Sequence, residues 1–228
     1  MNISIDRETW LLIGGVAAFL ALASCVGFVL QRLVKSESGQ ATIANMNARI
    51  RAWWVMVILF AGALLSGGAG SVILFGFTSF WALREFITLT PTKPADHRAL
   101  FWAFFVITPL QYCLVAIHWY GLFSVLIPVY AFLFIPIRNA LAGDCERFLE
   151  RTATIQWGLM VCVYCVSHAP ALLTLPIPGY EGQNAKLLLF LALIVQMSDV
   201  LQYCFGKTLG RHRIAPSVSP NKTWEGFM

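Results

Sequence analysis

An all-α, polytopic bundle of about seven membrane-crossing helices is the fold that this sequence predicts, and three observations predict it. Apolar residues fill 58% of the 228 positions and charged ones only 12%, where a soluble domain carries about 25% charged residues. Mean hydropathy is +0.72. The basic residues fall in short gaps between apolar runs, as membrane topology requires.

The first run, Thr9–Gln31, is uncharged and longer than the roughly 7–15 residues of a signal peptide's apolar region. Its positive flank, Arg32 and Lys35, follows rather than precedes it. It therefore predicts a retained first span. The uncharged stretch Ala52–Leu83 is too long for one span of about 20 residues. Ser66-Gly67-Gly68-Ala69-Gly70-Ser71 is a turn by composition, which predicts two spans over about 52–66 and 71–89. Further spans are predicted at about 99–117, then one running to about Ile137, at 152–175 and at about 187–206. His118-Trp119-Tyr120-Gly121 suits a membrane interface, and Pro109, Pro128 and Pro136 are expected to kink or end their helices.

With the N-terminus outside, the segments 32–51, 84–98, 138–151 and 207–228 all face the cytoplasm. They hold every one of the 16 Lys and Arg residues except Arg7 and Lys186. This bias predicts an N-out, C-in topology. The net charge of +5 does not indicate nucleic-acid binding, because no soluble face exists to carry a basic patch. The chain reads as a single integral-membrane domain over 1–228. The six cysteines imply no disulfide framework, and Cys162-Val-Tyr-Cys165 reads as small apolar packing residues in a helix. None of the four histidines, His212 included, has a second ligand at metal spacing. Small residues in the spans permit close contacts between helices, compatible with a homodimer.

The chemistry concentrates in 199–228. Asp199 is a lone acid in the seventh span, and an intramembrane carboxylate costs roughly 2.5–3.5 kcal/mol on insertion scales. Gln196, Asp199, Tyr203 and Gly206 share one helix face, with Ser198 and Gln202 beside them. Such a seam is expected to face the bundle interior or a water-filled cavity. An interhelical hydrogen-bond lock would use the same residues without chemistry. Gly206-Lys207-Thr208-Leu209-Gly210-Arg211-His212-Arg213 follows, with glycines that allow backbone approach and cations that can hold phosphate oxygens. Ser219-Pro220-Asn221-Lys222-Thr223-Trp224-Glu225-Gly226 then combines a rigid turn, a cation, hydroxyls and an acid, a mixture suited to a nucleotide or a phosphate-bound metal.

The run from Asp199 through Tyr203, Gly206-Lys207, Gly210-Arg211-His212, Ala215-Pro216 and Ser219-Pro220-x-Lys222-Thr223-Trp224-Glu225-Gly226 resembles the phosphatidate cytidylyltransferases (CDP-diacylglycerol synthases). Trp81-x2-Arg84-Glu85 is similar to that family more weakly. The resemblance implies transfer of CMP from CTP to phosphatidic acid with a divalent cation such as Mg²⁺, at a bacterial inner membrane. It implies catalytic roles for Asp199, Lys222 and Glu225, with Asp199 also a metal ligand. Tyr203, Lys207, Arg211, Ser219 and Thr223 would bind substrate. Two departures stand out. Val200-Leu201-Gln202 replaces the family's small Ser/Thr-Gly-Ala, and the family continues past Glu-Gly with further spans bearing acidic and basic motifs, whereas this chain ends at Met228. The expectation is therefore that these residues hold part of a site. A CTP-dependent polyprenol or lipid kinase, a non-catalytic membrane subunit and a transporter are the alternatives, although no inverted repeat supports the last.

Overall fold

The computed structural model describes residues 7–34, 36–217 and 219–228. Among them, seven helices are long and apolar enough to cross a membrane: α1 (Arg7–Leu33), α2 (Glu37–Leu65), α3 (Gly67–Thr88), α4 (Pro94–Ala116), α5 (Tyr120–Ala140), α6 (Phe148–Thr174) and α7 (Asn184–Thr208). The all-α polytopic class is as expected. A hairpin follows, β1 (Arg213–Ala215) and β2 (Ser219–Thr223), and then a short helix, α8 (Trp224–Phe227). The chain divides into two compact units, Met1–Ala185 and Lys186–Met228.

Two boundaries differ from the sequence expectation. Helix α2 begins well before position 52, because Ser36 caps it by accepting from Gly39 N at 3.3 Å. A helix need not end where hydrocarbon ends, so Arg49 and Arg51 ride on α2 rather than in a loop. The expected glycine turn is also tighter than 66–71. Gly67 alone takes positive φ, 81°, a conformation that costs glycine nothing sterically. At Gly70 an added Cβ would sit 2.6 Å from Ala63 O, so the first turn of α3 already packs on the end of α2.

In the first unit, α1 packs on α2 and α2 on α3, while α3 meets α4 and α6. The core gathers Leu83 from α3, Phe123 and Ile135 from α5, and Leu159 and Val163 from α6, all at most 1% exposed. Cys162 joins it as a free thiol. Helices α1 and α2 instead expose large apolar side chains such as Leu11, Phe19, Ile58 and Leu59, the surface a bilayer covers. Polar ties cross the core where lipid offers no partner. Gln111 Nε2 donates to Phe123 O and to Ser167 Oγ, both at 3.2 Å, and Asn139 Nδ2 donates to Thr152 Oγ1 at 3.0 Å.

The prolines do not end their helices. Instead α4, α5 and α6 each widen into a π-turn, at Ala103–Ile107, Leu126–Ala131 and Leu159–Cys165. In α4 the widened turn directly precedes Thr108-Pro109, and Thr108 donates to Ala103 O from both its N–H and its hydroxyl, the latter at 2.8 Å. An i→i+5 turn is a local way of absorbing a missing donor. Pro128 lies within the second π-turn and Pro136 within the following α-helical turns.

One end of this unit is tied by charge. Asp96, at the start of α4, and Arg151, on α6, are 1% and 7% exposed. Arg151 donates from Nη2 and Nε to Asp96 Oδ1, at 2.6 and 2.9 Å, and from Nη1 to Glu146 O at 2.8 Å. Asp144 Oδ2 lies 3.0 Å from the same Nη1, and Lys93 pairs with Asp144 and Glu146. The hydrogen bond from Glu146 N, reinforced by Arg151 and Lys93, holds the Asp144 carboxyl below its ordinary range. The loops before α4 and before α6 are thereby fastened together.

Candidate functional site: the hairpin on the end of α7

The last two turns of α7 are built to receive another backbone. A Cβ on Gly226 would meet Gln202 O at 2.6 Å and Gly206 Cα and N at 3.0 Å. A Cβ on Gly210 would lie 2.1 Å from Gly206 O and 2.8 Å from Thr223 Oγ1 and Cγ2. The glycines whose spacing suggested approach to a ligand thus serve approach of chain to chain. Strand β1 pairs antiparallel with β2 through Arg213↔Thr223 and Ala215↔Ser219. The extra residues in β2 make a bulge, which suits a strand containing Pro220. Trp224 N donates to His212 O at 2.9 Å, extending the ladder by one step. Thr223 caps α8, its hydroxyl accepting from Gly226 N at 3.3 Å.

Glu225 is turned onto its own hairpin. Its Oε2 accepts from Arg211 N at 3.0 Å and from His212 N at 3.2 Å, and its Oε1 accepts again from His212 N at 3.2 Å. His212 Nδ1 lies 2.6 Å from Oε1 and donates, since a carboxylate only accepts. The Arg211 amide first, then further backbone donors and the His212 ring, bring the Glu225 carboxyl down to about 2. It is an ionised clasp with both oxygens occupied.

The cations around it form no ion pair among the described residues. Arg211, Arg213 and Lys222 are exposed and have no carboxylate partner among the described residues. Lys207 is exposed, with its ammonium 5.3 Å from the centre of the Tyr203 ring, a cation–π geometry. Ser219 and Thr223 are half-buried on β2. The structure therefore gathers Arg211, Ser219, Lys222, Thr223 and Glu225 on one hairpin, clamped to the helix that carries Tyr203 and Lys207.

Asp199 stands apart from the clasp, seven residues or roughly 10 Å along the α7 axis from Gly206. It is exposed and makes no hydrogen bond or ion pair with a described residue. Within Lys186–Met228 the hairpin covers only Gln202–Gly210, a turn beyond it. Gln202 does donate to Ser198 Oγ at 3.4 Å, as their spacing suggested. No group of three or more metal-ligating side chains occurs among the described residues. A cavity of about 420 Å³ lies elsewhere, lined by Leu114, Val115, Tyr120, Phe123 and Leu175 among others. Its lining holds no carboxylate, lysine or arginine, which does not suit a triphosphate.

The cytidylyltransferase family matches residues 47–228. This chain belongs to that family. It is 36% identical over 212 residues to an uncharacterized protein, YnbB, of Escherichia coli K12, covering 92% of this chain and 67% of that protein. It is 25% identical over 189 residues to a phosphatidate cytidylyltransferase of Staphylococcus aureus strain COL, covering 80% and 66% of the two chains. A phosphatidate cytidylyltransferase of Staphylococcus epidermidis ATCC 12228 is 44% identical over 47 residues, 21% of this chain and 18% of that protein. The chain spans about two thirds of the length of the first two. No solved structure gives a significant match.

His212 is the residue that sequence reasoning passed over. Its partner lies 13 positions away, beyond any helical or strand spacing. The two prolines at Pro216 and Pro220 were the available signal, since a turn between them brings His212 opposite the Trp224-Glu225 step.

Proposed function

We propose that the protein takes part in transferring CMP from CTP to phosphatidic acid, giving CDP-diacylglycerol and pyrophosphate, on the cytoplasmic side of a bacterial inner membrane. The observation that carries this reading is the hairpin itself: cations without partners, on a backbone fixed by glycine contacts and the Glu225 clasp. In the reaction a phosphatidate oxygen forms a bond to the α-phosphorus of CTP while the bond to the pyrophosphate oxygen breaks. Such displacements depend on positioning and on neutralising charge. Lys207, Arg211 and Lys222 supply positive charge to phosphate oxygens, and the Ser219 and Thr223 hydroxyls can donate beside them. Tyr203 positions the Lys207 ammonium over its ring.

Magnesium holds one or two carboxylates and keeps several waters beside substrate phosphates, and a bound Mg²⁺ would neutralise charge on the transferring and leaving oxygens. The unpartnered carboxylate of Asp199 fits one such ligand position, while Glu225 has no free oxygen to offer. Asp199→Asn is expected to lower CDP-diacylglycerol formation by about 10²-fold or more, the scale of losing one preorganised electrostatic group, with the melting temperature unchanged. Full activity of that variant would remove Asp199 from the site.

A further inference from the structure

We infer that His212 is a phosphate-binding residue of this site, and that Glu225 is the positioning residue that orients it. The inference rests on the nucleotide-binding reading above and adds to it a residue and a division of labour.

The geometry assigns the two ring nitrogens different duties. Nδ1 is tied to Glu225 Oε1 at 2.6 Å, while the main chain of the same residue is fixed at both ends. His212 N donates to the Glu225 carboxylate, and His212 O accepts from Trp224 N. A side chain held in this way has little rotational freedom, yet it is 78% exposed. Its Nε2 has no partner among the described residues. A carboxylate on one nitrogen fixes which way the other faces and which proton it carries. The imidazolium form donates from both nitrogens, from Nδ1 to Glu225 and from Nε2 to an outside acceptor.

The ladder identifies the neighbour. Arg213 and Thr223 are directly paired, so their side chains share one face, the face that meets Gly206 and Gly210 through Thr223. Alternation turns His212, which precedes Arg213, to the opposite face. His212 lies across from Trp224, and Lys222 stands two residues before that partner, exposed at the bulge of β2. An imidazole and an ammonium set on the same short hairpin suit neighbouring phosphates of a polyphosphate chain. Arg211 flanks them, its amide held by the same carboxylate.

Glu225 serves by acceptance alone. It takes two backbone N–H groups and one ring N–H, and both of its oxygens are occupied in doing so. Its part is to keep the Arg211-His212 step in place, not to ligate metal or to move a proton.

The test uses the 228-residue chain in detergent micelles, with inorganic tripolyphosphate as the probe and calorimetry as the readout. Two substitutions separate ligand contact from hairpin support. In His212→Asn the amide nitrogen takes the place of Nδ1 and preserves the Glu225 contact, while Nε2 is lost. In His212→Gln the amide nitrogen reaches the place of Nε2. The expected result is about tenfold weaker tripolyphosphate binding for His212→Asn at an unchanged melting temperature, with His212→Gln within about threefold of wild type. Glu225→Gln, which keeps an acceptor for the two amides, should bind within about threefold of wild type, and Glu225→Ala should lose about tenfold. Wild-type affinity in His212→Asn overturns the inference, as does early melting of both histidine variants or no tripolyphosphate binding by the wild-type chain. Tripolyphosphate binding by a protein that releases CDP and a phosphorylated lipid from CTP would instead end the proposed reaction and leave this site standing.

Discussion

In the Asp96–Arg151 network each charge is answered by another, whereas at the C-terminal hairpin the one carboxylate is spent on its own backbone and the cations remain over. The first has the buried Asp96–Arg151 pair at its centre and spans two loops; the second is exposed and confined to one turn of chain. Both use Lys, Arg and acidic residues. Charge that is desolvated and fully paired serves architecture, because either partner alone would be an uncompensated ion in a medium of low dielectric. Charge left without partners on a rigid support is available to a ligand. Family membership alone does not draw this distinction.

Substitutions in the first region should act on stability, and the largest effect is expected there. Arg151→Ala strands Asp96 in the interior and should cost about 3–5 kcal/mol, read as a large drop in melting temperature in detergent. Replacing both partners with apolar residues of similar size should recover most of that loss. If Arg151→Ala were neutral, the network would be no more than a surface pair.

In the second region the backbone contacts come next. Gly226→Ala places a methyl 2.6 Å from Gln202 O and should cost the hairpin about 1–3 kcal/mol, the range for overpacking. Amide exchange would quicken across residues 211–227 while α3–α6 stayed protected. Equal protection throughout would mean that the hairpin does not depend on this contact.

The Glu225 clasp gives the second region a pH signature of its own. Its carboxyl is lowered from 4.5 to about 2. A depressed carboxyl stabilises the folded form fully above its ordinary value and progressively less as the pH falls towards the lowered one. Protection of the Arg211 and His212 amides should thus be constant above about pH 4.5 and fall between there and about pH 2. Glu225→Gln should flatten that dependence; a wild-type profile in the variant would take the clasp out of the account. The smallest effect is expected at Lys93, whose partners are solvent-accessible: Lys93→Ala should leave the melting temperature in detergent almost unchanged, since exposed ion pairs contribute little.

Much of this was legible in the sequence because it depends on local composition. Apolar run length gave the seven spans, and the run at Ser66–Ser71 marked the break that Gly67 makes. The residues of the hairpin were legible as a set, since few segments mix Pro, Lys, Thr and Glu so densely. Their arrangement was not. Whether Glu225 faces a metal or its own amides depends on how a strand returns onto α7, and no spacing rule reports that. The same holds for Asp96 and Arg151, which are 55 residues apart and looked like ordinary flanking charges. The π-turns escaped because Pro109 and Pro128 indicate only a kink or an end, while the form of the relief lies in backbone geometry.

The most direct test is to supply labelled CTP, phosphatidic acid and Mg²⁺ to this chain, alone and joined to whatever its reading frame encodes next, and to identify the products. The account predicts CDP-diacylglycerol with an equal amount of pyrophosphate from one or both forms. Release of CDP with a phosphorylated lipid, or no product from either form, would contradict it.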